Sequence, residues 1–293
     1  MRLCRMPPEA SYRTVDDLTT DGAAQSDVAR MADRYRLYER SVQCAEAEVD
    51  FLDSRFRQLR GRAARVLGED FCGTAAVSCE WLRRNRHNRA VGVDLDPEVL
   101  AWGRANNLAR LSPQVADRIE LVCADVLEVD RGRPDIIAAM NFSYWLFQER
   151  ATLRRYFERV RARLADDGVF FLDAYGGYDA FREIVEERTI EDDEGRFTYQ
   201  WEQAAYNPIS GLMTCHIHFG FPDGSRLERA FSYQWRLWTL PEIRELLAEA
   251  GFARVICYWQ GWDAEGAPDG IFEPAENADA DAGWICYVSA DAG

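Results

Sequence analysis

The chain has 293 residues, 47% of them hydrophobic, and a formal net charge of −15. That length suits one large α/β domain with an insertion or two small domains, and the acidic balance argues against an extended nucleic-acid contact, which needs clustered Lys and Arg. No apolar run is long enough to cross a bilayer, Met1 to Ala10 lacks the apolar stretch of a signal peptide, and the eight cysteines show no Cys-x-x-Cys spacing, so a reduced, cytoplasmic protein is expected.

Residues 1 to about 25 are polar and turn-rich and are expected to be poorly ordered. From Asp27 to Leu59 apolar residues recur at three- and four-residue steps (Val28, Met31, Tyr35, Tyr38, Val42), which predicts a helical segment placed to cover a pocket mouth. Arg65 to Asp70 reads as the first strand, and Thr74 to Asn85 as the helix after it. Ala90 to Asp94 is the second strand. Asp96-Pro97 opens the next helix, Glu98 to Leu108, with Asp96 as N-cap and Pro97 at the first helical position. Strands follow at Ile119 to Asp125 and Asp135 to Asn141, then a helix at Thr152 to Leu164 and a strand at Gly168 to Asp173. Strands alternating with helices imply parallel, right-handed crossovers.

After Tyr175-Gly176-Gly177 the pattern changes. Phe197 to Ala205, Leu212 to Phe221 and Ser225 to Leu237 alternate and are joined by turns, which predicts an antiparallel meander. Thr239-Leu240-Pro241-Glu242 is a capping box that starts a helix ending at Gly251. Two last strands are expected at Arg254 to Trp259 and Gly283 to Ser289, with a loop between them. The predicted fold is α/β: a Rossmann-like, seven-stranded, mostly parallel sheet with an antiparallel last strand, plus an inserted antiparallel β lid. The expected divisions are a tail and helical cover over 1–60, a cofactor-binding domain over 61–178 and 239–293, and the lid over 179–238.

The chemistry concentrates in one run, Val66-Leu67-Gly68-Glu69-Asp70-Phe71-Cys72-Gly73-Thr74-Ala75-Ala76: a strand, a tight turn and a helix start. The next two strands end in or near Asp94 and Asp125. Ligands of open α/β sheets sit at the carboxyl ends of the strands, so these three ends are expected to surround one adenosine-sized pocket. Phe71 and Ala75 stand where a dinucleotide fold wants glycine, which disfavours a pyrophosphate-bearing ligand such as NAD or FAD. Asp94 is placed to accept from a ribose diol, and Asp125 from an adenine amino group.

These residues resemble the class I S-adenosylmethionine-dependent methyltransferases, with the motifs between Ala64 and Asp173. The resemblance implies that Glu69, Cys72, Gly73 and Thr74 face the methionine part of S-adenosyl-L-methionine. It also implies that Asp94 holds the ribose, that Asp125 lies by the adenine, and that Leu95 and Val126 belong to the same set. Asn141 matches a position near the methionine amino group and the substrate. The tyrosine-bearing N-terminal helix and the late lid look most like small-molecule N-methyltransferases, of the amino-sugar dimethyltransferase and glycine N-methyltransferase type. Members usually show Asp-x-Gly-x-Gly-x-Gly, whereas this chain keeps one glycine of the three in Glu69-Asp70-Phe71-Cys72-Gly73-Thr74-Ala75. Glu69 then takes the acidic slot, or Asp70 does if the turn is remodelled.

The expected reaction is in-line methyl transfer to a small-molecule acceptor, nitrogen rather than oxygen, since a neutral amine needs no strong base. The alternatives are a non-catalytic module that binds the adenosyl ligand and a methyltransferase acting on a macromolecule. No metal site, no nucleic acid and no membrane are expected, and a homodimer is compatible with the chain. His216 and His218 share a strand face, either as the solvent side of the lid or as a base or metal pair lacking a third ligand. His216 and Tyr144 are the catalytic candidates, the latter within Asn141-Phe142-Ser143-Tyr144-Trp145, the segment placed beside the transferred methyl. Arg236 pairs either with a substrate carboxylate or with Glu202.

Overall fold

The computed structural model describes residues 27–263 and 268–293, so the expectation for the first 25 residues lies outside the described ones. The predicted N-terminal helix is three helices: α1 (Asp27–Met31), α2 (Arg34–Ser41) and α3 (Ala45–Arg60). Asp33 makes the first break, because its carboxylate accepts from the amides of Tyr35 and Arg36 and so starts α2 afresh. Gly61, at φ +65°, ends α3.

The α/β part follows as β1 (Val66–Asp70), α4 (Ala76–Arg84), β2 (Arg89–Asp94), α5 (Pro97–Asn106), α6 (Pro113–Ala116), β3 (Ile119–Cys123), β4 (Ile136–Ala139), α7 (Arg150–Arg163) and β5 (Val169–Gly176). The lid strands are β6 (Ile184–Asp192), β7 (Gly195–Tyr206), β8 (Leu212–Gly220) and β9 (Arg226–Arg236). The chain closes with α8 (Leu240–Glu249), β10 (Arg254–Trp262), β11 (Pro268–Pro274) and β12 (Trp284–Asp291). Asp96 caps α5, and Thr239 with Glu242 forms the capping box of α8, as the sequence predicts.

Two strands were not expected. The main sheet has eight strands, in the order β11-β10-β12-β5-β4-β1-β2-β3, rather than seven. The extra one, β11, lies at an edge in a segment whose prolines and glycine read as loop; edge strands tolerate proline because one side of their backbone needs no partner. Phe272 anchors it by stacking on Tyr287 at 4.3 Å. The lid likewise gains β6, at the edge of a four-stranded sheet ordered β6-β7-β8-β9. Its charged stretch Glu186-Glu187-Arg188 hides the strand pattern and suits an edge.

β1, β2, β3, β4 and β5 pair in parallel, whereas β12 runs antiparallel to both β5 and β10. The central strand β4 is buried along its whole length. One apolar layer packs α3 and α4 against one sheet face (Leu52, Phe56, Val77, Trp81). The other packs α7, α8 and the root of the lid against the opposite face (Phe157, Val160, Leu246, Trp238). Two ion pairs fasten α2 to the β6–β7 turn: Arg36 Nε meets Glu194 at 2.9 Å, and Arg40 Nε meets Asp192 at 2.8 Å. The N-terminal cover and the lid are therefore held to each other above the carboxyl ends of the strands.

Candidate active site

Alternation along β1 sends Glu69 and Asp70 to opposite faces. Asp70 is buried in the core: through one oxygen it accepts from Tyr156 at 2.9 Å and pairs with Arg163, while its Oδ1 has no partner among the described residues. Glu69 stands at the start of α4, where it accepts from the Ser78 amide at 2.9 Å and from the Ser78 hydroxyl. Burial pushes its pKa up to about 7, against the lowering effect of those two bonds. Of the two acids, Glu69 is the one that shapes the turn.

The turn keeps a glycine-type backbone without the glycines. Phe71, Gly73 and Ala75 stand at φ +59°, +52° and +59°. For Phe71 and Ala75 that left-handed conformation costs on the order of 1–2 kcal/mol each. Local bonds offset it: Cys72 N–H donates to Val93 O at 2.9 Å, Ala75 N–H to Cys72 O at 2.8 Å, and Gly73 N–H to the Asp94 carboxylate at 2.8 Å. The Phe71 ring packs against Phe147 and Tyr156. A side chain at Gly73 would meet no atom within 4 Å, so open space lies over the middle of the turn. Gly103 in α5 is a residue the sequence reading passed over. A Cβ there would come within 2.5 Å of Thr74 O, so only glycine lets α5 lie against the turn.

Asp94 closes β2 beside that open space. One of its oxygens holds Gly73 N–H, and the other accepts from Asp96 N–H at 2.9 Å. Burial raises its pKa. Each oxygen retains a second lone pair, so a sugar diol can still be received there. Leu95 is 68% exposed at the rim. Asp125 is exposed, two residues past the end of β3, and turns the chain by accepting from Leu127 N–H at 2.8 Å. Cys72, Thr74 and Val126 are buried, so whatever they offer a ligand is backbone rather than side chain.

A second feature adjoins this groove. Asn141 and Phe142, just past β4, sit at φ +57° and +56°. Their consecutive amides both donate to the Asp173 carboxylate, at 2.8 and 2.9 Å. Burial nevertheless pushes Asp173 up to about 7. Beyond them opens a cavity of about 310 Å³, roofed by the lid through Tyr199, Trp201, Tyr233 and Trp235 and walled by Tyr38 and Glu48 of the N-terminal helices. Of the predicted site residues only Asn141 lines this cavity; the turn, Asp94 and Asp125 do not.

Glu48 was missed by the sequence reading. Its side chain is buried, its Oε2 has no hydrogen-bond partner among the described residues, and burial together with the charges of Asp173 and Glu69 pushes its pKa up to about 8. The signal was available: Glu48 shares the buried stripe of α3 with Leu52 and Phe56, where a carboxyl is out of place.

Three expectations need correction. Tyr144 is fully buried with its hydroxyl donated to Asp173 O at 2.7 Å, so it braces the loop after β4 and does not line the cavity. His216 lies on the lid face opposite the cavity, because its neighbour Ile217 faces inward; its Nδ1 bonds Ser232 at 2.8 Å. That face is not simply solvated either, since His218 is held between Glu202 and Glu228. Arg236 does not pair with Glu202. It bonds Glu242 at 3.0 Å and Gln148 O at 3.2 Å and stacks on Trp238, tying the end of the lid to α8.

Residues 72–170 match the sequence profile of a family described as methyltransferase domain. No curated protein matches the chain. Among solved structures, the chain is similar to an S-adenosylmethionine-dependent methyltransferase from Clostridium acetobutylicum, with 18% identity and a TM-score of 0.63 over 88% of this chain and 98% of that one. It is similar to an amino pentose methyltransferase from Micromonospora echinaspora, solved with S-adenosylmethionine bound, with 18% identity and a TM-score of 0.61 over 88% and 97%. A sugar N-methyltransferase from Streptoalloteichus sp is also similar, with 18% identity and a TM-score of 0.58 over 94% and 98%. At these identities the likeness is one of fold.

Proposed function

The chain carries a methyltransferase domain of the class I, S-adenosylmethionine-dependent kind, and from that premise we propose that it moves a methyl group to a nitrogen of a small molecule held beneath the lid. The observation that carries this reading is open space over Gly73 beside Asp94, next to an aromatic-walled cavity at the ends of β4 and β5. The residues present fit the donor: the open space at Gly73 admits its amino-acid tail, and Asp94 has lone pairs left for its ribose. When bound, S-adenosylmethionine supplies a methyl on a positively charged sulfur.

The protein's own part is placement and exclusion of water. The bonded pair Asp173 and Asn141–Phe142 fixes the loop between groove and cavity, and the lid rings shield it. Residues 179–238 act as the lid, tied down by Arg36 and Arg40. A cavity of about 310 Å³ takes a small molecule and not a folded macromolecule. Nitrogen is favoured by the acid-lined wall, which suits an amine, and by the sugar N-methyltransferase among the similar structures. The retained shape of the turn removes the one support for a donor-binding module without activity, the missing glycines.

Calorimetric titration with S-adenosylmethionine and its demethylated product, followed by radiolabelled methyl transfer over a panel of amines and alcohols, tests the proposal. Donor binding with turnover of amines is the expected result. Donor binding with turnover of alcohols alone would move the assignment to oxygen, and no donor binding would end it.

A further inference from the structure

The cavity wall holds a carboxyl oxygen with no hydrogen-bond partner among the described residues. It is Oε2 of Glu48, which is 6% exposed and lines the cavity together with Asp173. Asp173 is not in the same position, because both its oxygens are taken by backbone amides. A buried carboxyl oxygen left unsatisfied is destabilising, and a ligand donor can recover that loss. The rest of the wall names that donor. Trp201, Tyr233 and Trp235 line it, and aromatic rings attract a cation and an apolar body alike. Arg188, the cationic group at the lid edge of the cavity, is turned aside: it donates to Ser41 O and stacks on Tyr199.

We propose that Glu48 is the receptor for the acceptor's ammonium group, and so selects a small, cationic amine with an apolar body as the methyl acceptor. This rests on the methyltransferase reading above. Its chemistry follows directly. An ammonium nitrogen has no lone pair for attack, so one proton passes from it to a Glu48 oxygen, leaving a neutral amine and a neutral carboxyl. The freed lone pair forms the N–C bond as the S–C bond breaks, giving a methylated ammonium and an uncharged thioether. The groups facing Glu48 are Asp173 from β5, Glu69 from β1, Cys44 and Tyr38 from the N-terminal helices, and Glu186 and Arg188 across the cavity. Burial, with the charges of Asp173 and Glu69 adding to it, pushes the pKa of Glu48 up to about 8 and so keeps it protonated in the empty cavity at neutral pH.

The test uses the full chain saturated with the demethylated donor product. Cyclohexylammonium and benzylammonium are titrated against cyclohexanol and benzyl alcohol, in the wild type and in Glu48→Gln. The wild type is expected to bind the ammonium ions at least tenfold more tightly than the alcohols. At pH 7, buffers of different ionisation enthalpy should show release of roughly one proton as the carboxyl ionises to meet the cation. Glu48→Gln is expected to lose at least tenfold for the ammonium ions and none for the alcohols, with donor-product affinity within twofold. Equal binding of amines and alcohols, or of no amine, overturns the proposal while leaving methyl transfer intact. A loss confined to the donor product also overturns it, since Glu48 would then hold the donor's own ammonium. Absence of donor-product binding in the wild type instead fails the underlying reading. Should Glu48→Gln not fold, the proton release of the wild type decides alone.

Discussion

The groove around Gly73 and the cavity around Glu48 meet at Asn141, yet they are assembled in different ways. The groove is made of short contiguous stretches, residues 69–75, 94–96 and 125–127, whose polar groups are already bonded to nearby backbone. The cavity draws Glu48 from α3, Asp173 from β5 and its rings from β7 and β9, and it leaves acids buried and their pKa values raised. A site for a common ligand is carried by backbone shape plus a few carboxylates. A site for a particular acceptor is carried by side chains brought together from distant parts of the chain, and it keeps an unsatisfied group for the ligand to complete.

The largest effect on the groove is expected from Asp94→Ala. The substitution removes the acceptor for a sugar diol and also the tether of Gly73 N–H. Hydrogen bonds to a charged group contribute about 1.5–3 kcal/mol, so the affinity for S-adenosylmethionine should fall roughly 10- to 100-fold. Binding of amines in the cavity, measured without the donor, should change little. A comparable loss on both sides would mean that groove and cavity are one cooperative unit.

How much of this was legible in the sequence follows the same division. The order of β1 to β5, the cap at Asp96, the capping box at Thr239 and Asp94 at the end of β2 are local patterns, and each appears where the sequence places it; Asp125 falls two residues past β3 rather than in it. Edge strands β6 and β11 were missed because pairing on one side tolerates charge and proline that mask a strand. Phe71 and Ala75 read as lost glycines, but tertiary bonds hold them at positive φ. His216 and Tyr144 were attractive as chemical types; their directions depend on strand alternation in the lid and on a bond to Asp173 that no local pattern reveals. Glu48 was passed over because a carboxyl in a charged helix looks ordinary until its stripe is traced.

Stability against pH should separate the two regions next. In the ligand-free protein Glu48 is raised to about 8 and Glu69 and Asp173 to about 7, above the usual carboxylate range near 4. Between those limits the folded state binds more protons than the unfolded state, so stability falls as pH rises. The paired surface acids Asp167, Asp192 and Glu194 are lowered by their arginines and act oppositely, but their contribution is complete above about pH 5. His216, held below its ordinary value, opposes the trend only below about pH 6.5. The midpoint of thermal unfolding should therefore drop by several degrees from pH 6.5 to 8.5. Glu48→Gln should flatten the upper part of that slope, and a flat wild-type profile would mean the acids are solvated.

Smaller effects belong to the turn. Gly73→Ala puts a methyl into the open space at φ +52°. It should destabilise by about 1 kcal/mol and weaken the donor as well. Ala75→Gly relieves a similar conformation at the loss of one buried methyl worth about 0.8 kcal/mol. Its net effect should be a stabilisation between zero and about 1 kcal/mol in a denaturant titration, with donor affinity unchanged. If Ala75→Gly instead destabilised by more than about 1 kcal/mol, the methyl rather than the backbone would be what holds the turn.

The smallest effect is expected from His216→Ala, and it is informative for being small. His216 is a histidine of the lid with a bond to Ser232, on the sheet face away from Trp201 and Trp235. A base must reach the acceptor nitrogen directly or through one water, and a sheet lies between. The substitution should leave kcat/KM within twofold while lowering thermal stability slightly through the lost bond. A tenfold fall in kcat with normal folding, alongside an unaffected Glu48→Gln, would place the proton's destination on the outer face of the lid and make the cavity acid a structural group. The opposite pair of results would fix the proton route inside the cavity, where the free oxygen of Glu48 already stands.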